Sequence, residues 1–368
     1  MKRRVVCVVG GGLAGLACAL AAAQAGAAVR LLEARPDPVA PEVHVDVVPS
    51  MLRDLARLGV ADACVRAGFA YRRISAIGQR GLPLYSLDAP RLAGARYPAA
   101  LGIAHSDLQE ILAAAARDAG VHIRYGAQVL RVVDISDEAL VDVEGEPALS
   151  ADFVVVACGG RDPLRERVFQ AAPSGAASAA WLYLFTRRSP GFDEALSAVT
   201  AAGDKAYAVP VSGSRVGVRL ASRGAQAPAD AAGARALLAR FPGVMGDLAH
   251  HVAPETEVVR RPLALGLMVS PWARGRIVGV GECVRALPPH FGQAAAQAIE
   301  DAVVLGELLA GLREPRELAP AFLKRREPRV RQIAAIALQA ARWDEMPGTE
   351  TDLLALSRAL DQIVHSPA

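Results

Sequence analysis

A strand, a glycine turn, a helix, a second strand and an acid follow one another within about thirty residues of the start, and no other feature of the chain restricts its fold as much. Val5-Val6-Cys7-Val8-Val9 is a short apolar run rich in β-branched residues, as expected of a buried parallel strand. Gly10-Gly11-Gly12-Leu13-Ala14-Gly15 follows at once and places glycines at 10, 12 and 15. The Ala/Leu-rich stretch to about Gln24 reads as a helix, with Gly26 just past its end. Val29-Arg30-Leu31-Leu32 reads as the next strand, and Glu33 stands at its C-terminal tip. Gly10 permits the tight turn, Gly12 lets the backbone approach a pyrophosphate, and Gly15 allows close helix–strand packing. The phosphates then meet the helix N-terminus at Leu13 and Ala14, and the Glu33 carboxylate accepts hydrogen bonds from adenosine ribose hydroxyls, with Ala34 and Arg35 beside it. An acid at position 33 disfavours a 2′-phosphate, so the resident nucleotide is read as FAD or NAD rather than NADP.

Other classes are excluded by composition. At about 150 residues per domain, 368 residues suggest roughly two domains, enough to bury a core without disulfides or a structural metal. A hydrophobic fraction of 52% with a net charge of +3 excludes disorder, and that charge with 5% aromatics gives no sign of a nucleic-acid partner. Five scattered cysteines without CxxC spacing fit a reducing compartment better than a zinc site or a disulfide framework. Met1-Lys2-Arg3-Arg4 before an apolar run imitates a secretory signal, but three glycines interrupt the run and the pattern continues through Glu33. No stretch reads as a membrane span, so the expected location is the cytoplasm. Oligomeric state leaves no trace in the sequence.

The far end of the chain chooses the cofactor. Arg276-Ile277-Val278-Gly279-Val280-Gly281 is an apolar run ending in glycine, followed by Glu282 and then Pro288-Pro289-His290-Phe291-Gly292-Gln293-Ala294-Ala295 and a helix carrying Ala298, Glu300, Asp301 and Ala302. This segment resembles the second FAD motif of the group A FAD-dependent monooxygenases, the para-hydroxybenzoate hydroxylase-like aromatic hydroxylases. In that family it runs GD, a few small residues and His, then PxxGQGxNxAxEDA. Gly281, Pro289, Gly292, Gln293, Ala298, Glu300, Asp301 and Ala302 match without a gap. Val47 to Gly59 resembles the segment whose loop passes beside the flavin, and His105-Ser106-Asp107-Leu108-Gln109 the family's R-x-x-L helix start. Tyr125 to Val129 resembles the strand whose valine touches the adenine, and Phe322 to Val330 the basic C-terminal helix.

The chain also departs from the pattern. Glu282 replaces the usual Asp, Arg285 the His, Ala294 and Ala296 the Gly and Asn, and His105 the usual Arg. In Val154-Val155-Val156-Ala157-Cys158-Gly159-Gly160, Gly159 stands where the family's DG motif has Asp, and Pro163 where Ser is usual. That motif supports both FAD and the reductant, so its loss bears on NAD(P)H handling. Glu42-Val43-His44 occupies a flavin-side loop where glycines are common.

The resemblance implies an α/β fold: a Rossmann-like FAD-binding domain, a smaller α+β substrate domain with an antiparallel sheet, and C-terminal helices. Residues 1–70, 96–168 and 272–318 are expected to form the discontinuous FAD domain, 71–95 and 169–271 the substrate domain, and 319–368 the terminal helices. Expected elements include a helix from Asp107 to Ala119, one strand within Gly120–Val132, strands at 180–185, 206–209 and 215–220, and a helix over Ala231–Phe241. The activity implied is insertion of one oxygen atom from O₂ into an aromatic or heteroaromatic small molecule through a C4a-hydroperoxyflavin, with NAD(P)H as reductant. A dehydrogenase, reductase or oxidase of the same fold, or a non-catalytic flavin-binding partner protein, is the alternative, because the DG motif is altered. Isolated tryptophans argue against a halogenase, whose motif is Trp-x-Trp.

By the resemblance, the FAD contacts also include His105, Val129, Gly281, Glu282, Pro289, Gly292, Gln293, Ala294 and Ala295. His44 and His290, on loops expected beside the flavin ring, are the candidate catalytic groups, since a histidine suits proton transfer near neutral pH. Tyr183, Tyr207 and Phe291 are candidate substrate contacts. Trp181 reads as core; Arg215 and Arg219 are either contacts to an acidic substrate or, as is usual for exposed sheet arginines, solvated; and Lys324-Arg325-Arg326 reads as the covering of a helix surface. His250-His251 lacks a third ligand at metal spacing, and no metal is expected.

Overall fold

Apolar strands with no polar face must be covered on both sides, and the fold does this with a parallel sheet flanked by helices. The computed structural model describes residues 3–37, 42–135, 137–170, 180–221, 230–262, 266–267, 271–311, 314–345 and 351–368. Its six-stranded sheet runs Ala273–Arg274, Ile277–Gly279, Phe153–Val156, Val5–Val9, Ala28–Leu32 and His122–Arg124, parallel except for the first pair. Helix Leu13–Gln24 packs between helices Gln293–Gly311 and His105–Asp118. Two glycines permit the tight first turn. Gly10 has φ +110° and a Cβ there would overlap the Ala157 carbonyl, while a Cβ on Gly15 would overlap the carbonyl oxygen of Gly10.

A second sheet of seven strands is mainly antiparallel. Its order is Val259–Pro262, Ala180–Arg187, Arg215–Ala221, Lys205–Pro210, Ala195–Val199, Arg73–Ile77 and Pro83–Asp88, with one parallel pair between 195–199 and 73–77. Leu182, Leu184, Val216, Val218 and Leu220 bury one face of it under Leu237, Leu238 and Phe241. A small sheet of His44–Val47, Ala100–Ala104 and Phe69–Tyr71 packs against this one. The approach is close enough that a Cβ on Gly102 would overlap the Pro210 carbonyl, and one on Gly217 the His44 ring.

Two expected elements differ. The single strand within Gly120–Val132 is two, His122–Arg124 and Val129–Ile135, broken at Gly126 with φ +66°. The first piece closes the parallel sheet, and the second leaves it to pair with Glu138–Val143. The helix over Ala231–Phe241 ends at Leu238, four residues before Pro242, which caps another short helix starting at Gly243. Among the described residues no helix is long and apolar enough to cross a membrane. Pro347-Gly348, read as a break between C-terminal helices, lies outside the described residues; helices Leu318–Glu345 and Leu353–Val364 stand on either side.

The basic run 324–326 is not all surface. Arg326 is 0% exposed and donates to Glu300 Oε2 at 2.6 Å, Asp301 Oδ1 at 2.8 Å and Gln297 Oε1 at 2.7 Å. Successive helical residues point about 100° apart, so one of three basic residues faces inward while its neighbours do not. Removing a partner from a buried ion network leaves charge uncompensated. Arg326→Ala is therefore expected to lower unfolding free energy by about 3–5 kcal/mol in chemical denaturation. A loss below about 1 kcal/mol would mean that the remaining arginines satisfy both carboxylates.

Candidate active site

The cleft of ≈ 1200 Å³ has two unlike walls. One is backbone: Gly10, Gly12, Leu13 and Ala14, with the 157–162 turn, Gly281-Glu282 and the loop from Pro289 to Ala295. The other is side chain: His44 and Asp46 from the small sheet, and Trp181, Tyr183 and Arg219 from the seven-stranded sheet. Its size exceeds the roughly 300–1,000 Å³ of ordinary small-ligand clefts, which suits a nucleotide cofactor and a substrate together.

The backbone wall fits FAD. Helix 13–24 begins at Gly12 without a side-chain cap and without an acid in its first turn, leaving its amides and positive dipole end for a phosphate. A Cβ on Gly12 would meet nothing within 4 Å, so the only space it would fill is the cleft. Glu33 Oε2 accepts from the Gly11 amide at 2.5 Å, and Oε1 accepts from the Arg35 amide and Nε, both at 3.1 Å. These bonds fix the carboxylate beside the glycine turn while leaving lone pairs for hydroxyl donors. Gly281 has φ +62°, and a Cβ there would crowd Ala14, so the turn holding Glu282 can close against the first helix only as glycine.

Of the residues singled out in the sequence, Gly10, Gly12, Leu13, Ala14, Glu33, Arg35, His44, His105, Tyr183, Gly281, Glu282, Pro289, Gly292, Ala294 and Ala295 line the cleft. Seven others do not. Gly15 lies beneath the glycine turn, and Ala34 is an exposed neighbour of Glu33. Val129 is core, because the strand break at Gly126 carries it into the adjoining meander. Gln293 is buried, donating to the Phe291 carbonyl at 3.1 Å and accepting from Gln297 at 3.2 Å. Phe291, at φ +58°, packs against the C-terminal helices. His290 turns the same way, with Nε2 2.7 Å from Asp344 Oδ2 and its ring edge-on to Trp181. Tyr207 points into the polar wall, where its hydroxyl donates to Asp46 Oδ2.

Sequence reasoning missed Asp46, Tyr71 and the true setting of Trp181 and Arg219. Asp46 is buried and accepts from both Tyr71 and Tyr207. Burial raises its pKa, against the pull of those two hydroxyls and Arg219. Arg219 is buried rather than solvated, with its guanidinium 4.2 Å above the Tyr207 ring and 5.6 Å from that of Trp181, and its Nε has no protein partner. One signal was available: Asp46 is two residues from His44, hence on the same face of the strand.

His44 is 6% exposed and neither ring nitrogen has a hydrogen-bond partner. Burial first, then the Arg219 charge, lowers its pKa to about 3. His105 is lowered to about 4 by burial and by Arg261 and Arg35. Both imidazoles are therefore neutral at ordinary pH. A buried polar wall with unmet donors and acceptors is built for a ligand that supplies them.

Comparison with known proteins agrees with this geometry. A family model described as FAD binding domain matches residues 3–337. The chain is 24% identical over 342 residues to YetM of Bacillus subtilis, covering 91% of this chain and 92% of that one. It is 27% identical over 323 residues to 6-hydroxynicotinate 3-monooxygenase of Bordetella bronchiseptica, covering 82% and 81%. The crystal structure of Klebsiella pneumoniae HpxO complexed with FAD and uric acid superposes with a TM-score of 0.79 at 23% identity, over 98% of this chain and 92% of that one.

The neutral state of His44 sets a pH dependence. The unfolded chain protonates it below its ordinary value of 6.5, whereas the fold keeps it neutral down to about 3. In that window the unfolded state binds the extra proton, so stability falls as pH falls; above it the contribution is fully retained. His44→Asn is expected to flatten the slope of unfolding free energy between about pH 4 and 6, by up to about 1.4 kcal/mol per pH unit. Denaturant titrations across that range, run on both proteins, check this; parallel slopes would mean that His44 is protonated in the fold.

Proposed function

Because the chain belongs to the FAD-binding-domain family and is a divergent group A FAD-dependent monooxygenase, we propose that it inserts one oxygen atom of O₂ into an acidic aromatic or heteroaromatic small molecule, with NAD(P)H as reductant. The observation that carries this reading is the single cleft joining an uncapped, glycine-lined helix N-terminus to a buried wall of unsatisfied polar side chains. FAD, when bound, supplies the electron and oxygen chemistry. The protein supplies position, exclusion of water and a place for a proton.

The amides after Gly12 and the Glu33 carboxylate hold the cofactor. Trp181 and Tyr183 offer flat apolar faces to a ring, and Arg219 offers a cation whose Nε is unmet. An anionic group on the substrate fits there, as the relatives' 6-hydroxynicotinate and uric acid would. Burial depresses the His44 pKa most, and such an anion offsets the Arg219 charge that adds to this, making its imidazole a better acceptor when the substrate is in place. His44 then accepts a hydrogen bond or proton from a ring hydroxyl. Asp46, held by two tyrosine hydroxyls, fixes the floor beneath. In this reading residues 71–95 and 169–271 form the substrate-covering domain, and 319–368 clamp the loop after Pro289. Five free cysteines suit a reducing cytoplasm.

The test begins with the visible spectrum of the FAD-loaded protein under nitrogen. NADH or NADPH, with a panel of hydroxylated benzoates and pyridine carboxylates, should bleach the flavin, and air should restore it. Under ¹⁸O₂ one panel member should gain a single ¹⁸O atom. A protein that retains no FAD, or that returns all consumed oxygen as hydrogen peroxide with every compound, overturns the proposal. Gly12→Ala should leave apoprotein stability within about 0.5 kcal/mol while raising the FAD Kd about tenfold or more. Arg219→Met should raise KM for the acidic substrate by about 30-fold, the loss of one charge-assisted bond, with a smaller change in kcat.

A further inference from the structure

Two of the five cysteines meet across the cofactor cleft wall. Cys158 lies in the turn that follows strand Phe153–Val156, and Cys283 in the turn that follows strand Ile277–Gly279. The sulfurs are 3.7 Å apart although the residues are 125 positions apart in sequence. Cys158 is half-buried and lines the cleft, while Cys283 is fully buried behind it. The two turns already touch, since a Cβ on Gly160 would stand 3.2 Å from the Glu282 carbonyl oxygen, and Arg165 Nε donates to the Cys283 carbonyl at 3.0 Å. Cys7, Cys18 and Cys64 are buried, and no other sulfur pair is in contact among the described residues.

We propose that Cys158 and Cys283 form a modification site, a thiol pair that hydrogen peroxide converts reversibly into a disulfide linking the two turns. Neither thiol belongs to the oxygen-transfer scheme proposed above, and the idea does not rest on it. The Cys158 sulfur attacks one peroxide oxygen and the O–O bond breaks, giving a Cys158 sulfenic acid and one water. The Cys283 sulfur then attacks the Cys158 sulfur, the S–O bond breaks, and the departing hydroxide takes up the Cys283 proton as a second water. Overall the thiols lose two electrons and two protons, and peroxide gains them. The sulfurs must close from 3.7 Å to about 2 Å, a movement within reach of side-chain rotation and a small shift of the Cys158 turn. Only Cys158 is open to the oxidant from the cleft, so the order of attack follows from exposure.

The test uses the FAD-loaded full chain treated with hydrogen peroxide, quenched, unfolded and titrated for thiols. The count should fall from five to three, the intact mass should fall by about 2 Da for the two hydrogens lost, and a digest should yield one linked peptide pair containing Cys158 and Cys283. Dithiothreitol should restore all five thiols. In Cys283→Ala the sulfenic acid has no resolving partner, so dimedone should label Cys158 and no disulfide should appear. Five free thiols after treatment, a linkage through any other cysteine, or a chain joined to a second chain would each overturn the proposal. The peptide map of the unaltered protein decides the matter even where the variant fails to fold.

Discussion

The cofactor cleft depends on a buried arginine that lies well outside it. Arg326, in the long C-terminal helix, reaches both carboxylates of the Glu300-Asp301 pair. Those acids hold much else. Asp301 also accepts from Arg285 at 2.6 Å and from the Gly281 amide at 3.3 Å, and Glu300 from Arg329 and Arg53. Arg53 in turn donates to the Val364 carbonyl in the last helix. Burial works to raise the Glu300 pKa, but Arg326 and Arg329 prevail and hold it below the ordinary value. The cost of burying these charges is met only while every partner is present, which makes the network a position-fixing device more than a source of net stability. What it fixes is the turn at Gly281 and helix 293–311, which carry the backbone wall of the cleft.

The cleft's two walls solve different problems with different chemistry. A diphosphate needs many weak donors at close range, and backbone amides at a glycine turn provide them without a charge that must itself be solvated. A small ring needs a shape and a few directed groups, which only side chains from a rigid sheet can hold in place. Gly217 shows how tightly the second wall is set, since it leaves room for the His44 ring where any side chain would displace it. Burial keeps that histidine neutral and the Arg219 charge adds to the effect, while the arginine itself lies over the Tyr207 ring and near that of Trp181.

Legibility in the sequence followed locality. The first strand, glycine turn and helix are dictated by adjacent residues, and the second motif by a run of fourteen positions from Pro289 to Ala302, so both could be read directly. The side-chain wall was legible only at single residues such as His44 and Tyr183. Asp46 meets Tyr71 and Tyr207 only after three separate strands are brought together, and its place two residues from His44 gives the face of the strand but not these partners. His290 was read from its place in a cofactor loop, but Asp344, 54 residues later, turns it away from the cleft. Arg326 looked like its neighbours Lys324 and Arg325, because a charge run carries no record of which member faces inward.

The departures from the family pattern make sense once these contacts are considered together. Arg285, where histidine is usual, is 3% exposed and pairs with Asp301, so the substitution feeds the same carboxylate that anchors the Gly281 amide. Gly159, where an acid is usual, has φ +85° with nothing within 4 Å of its missing Cβ. That conformation suits glycine and opens space in the cleft beside Cys158. One change adds a cation to the carboxylate that holds the Gly281 turn, and the other leaves the cleft wall without a charged side chain at position 159. Neither disturbs the uncapped helix or the glycine turn, so the demands of holding a dinucleotide are met by backbone geometry even where the family's polar residues have been exchanged.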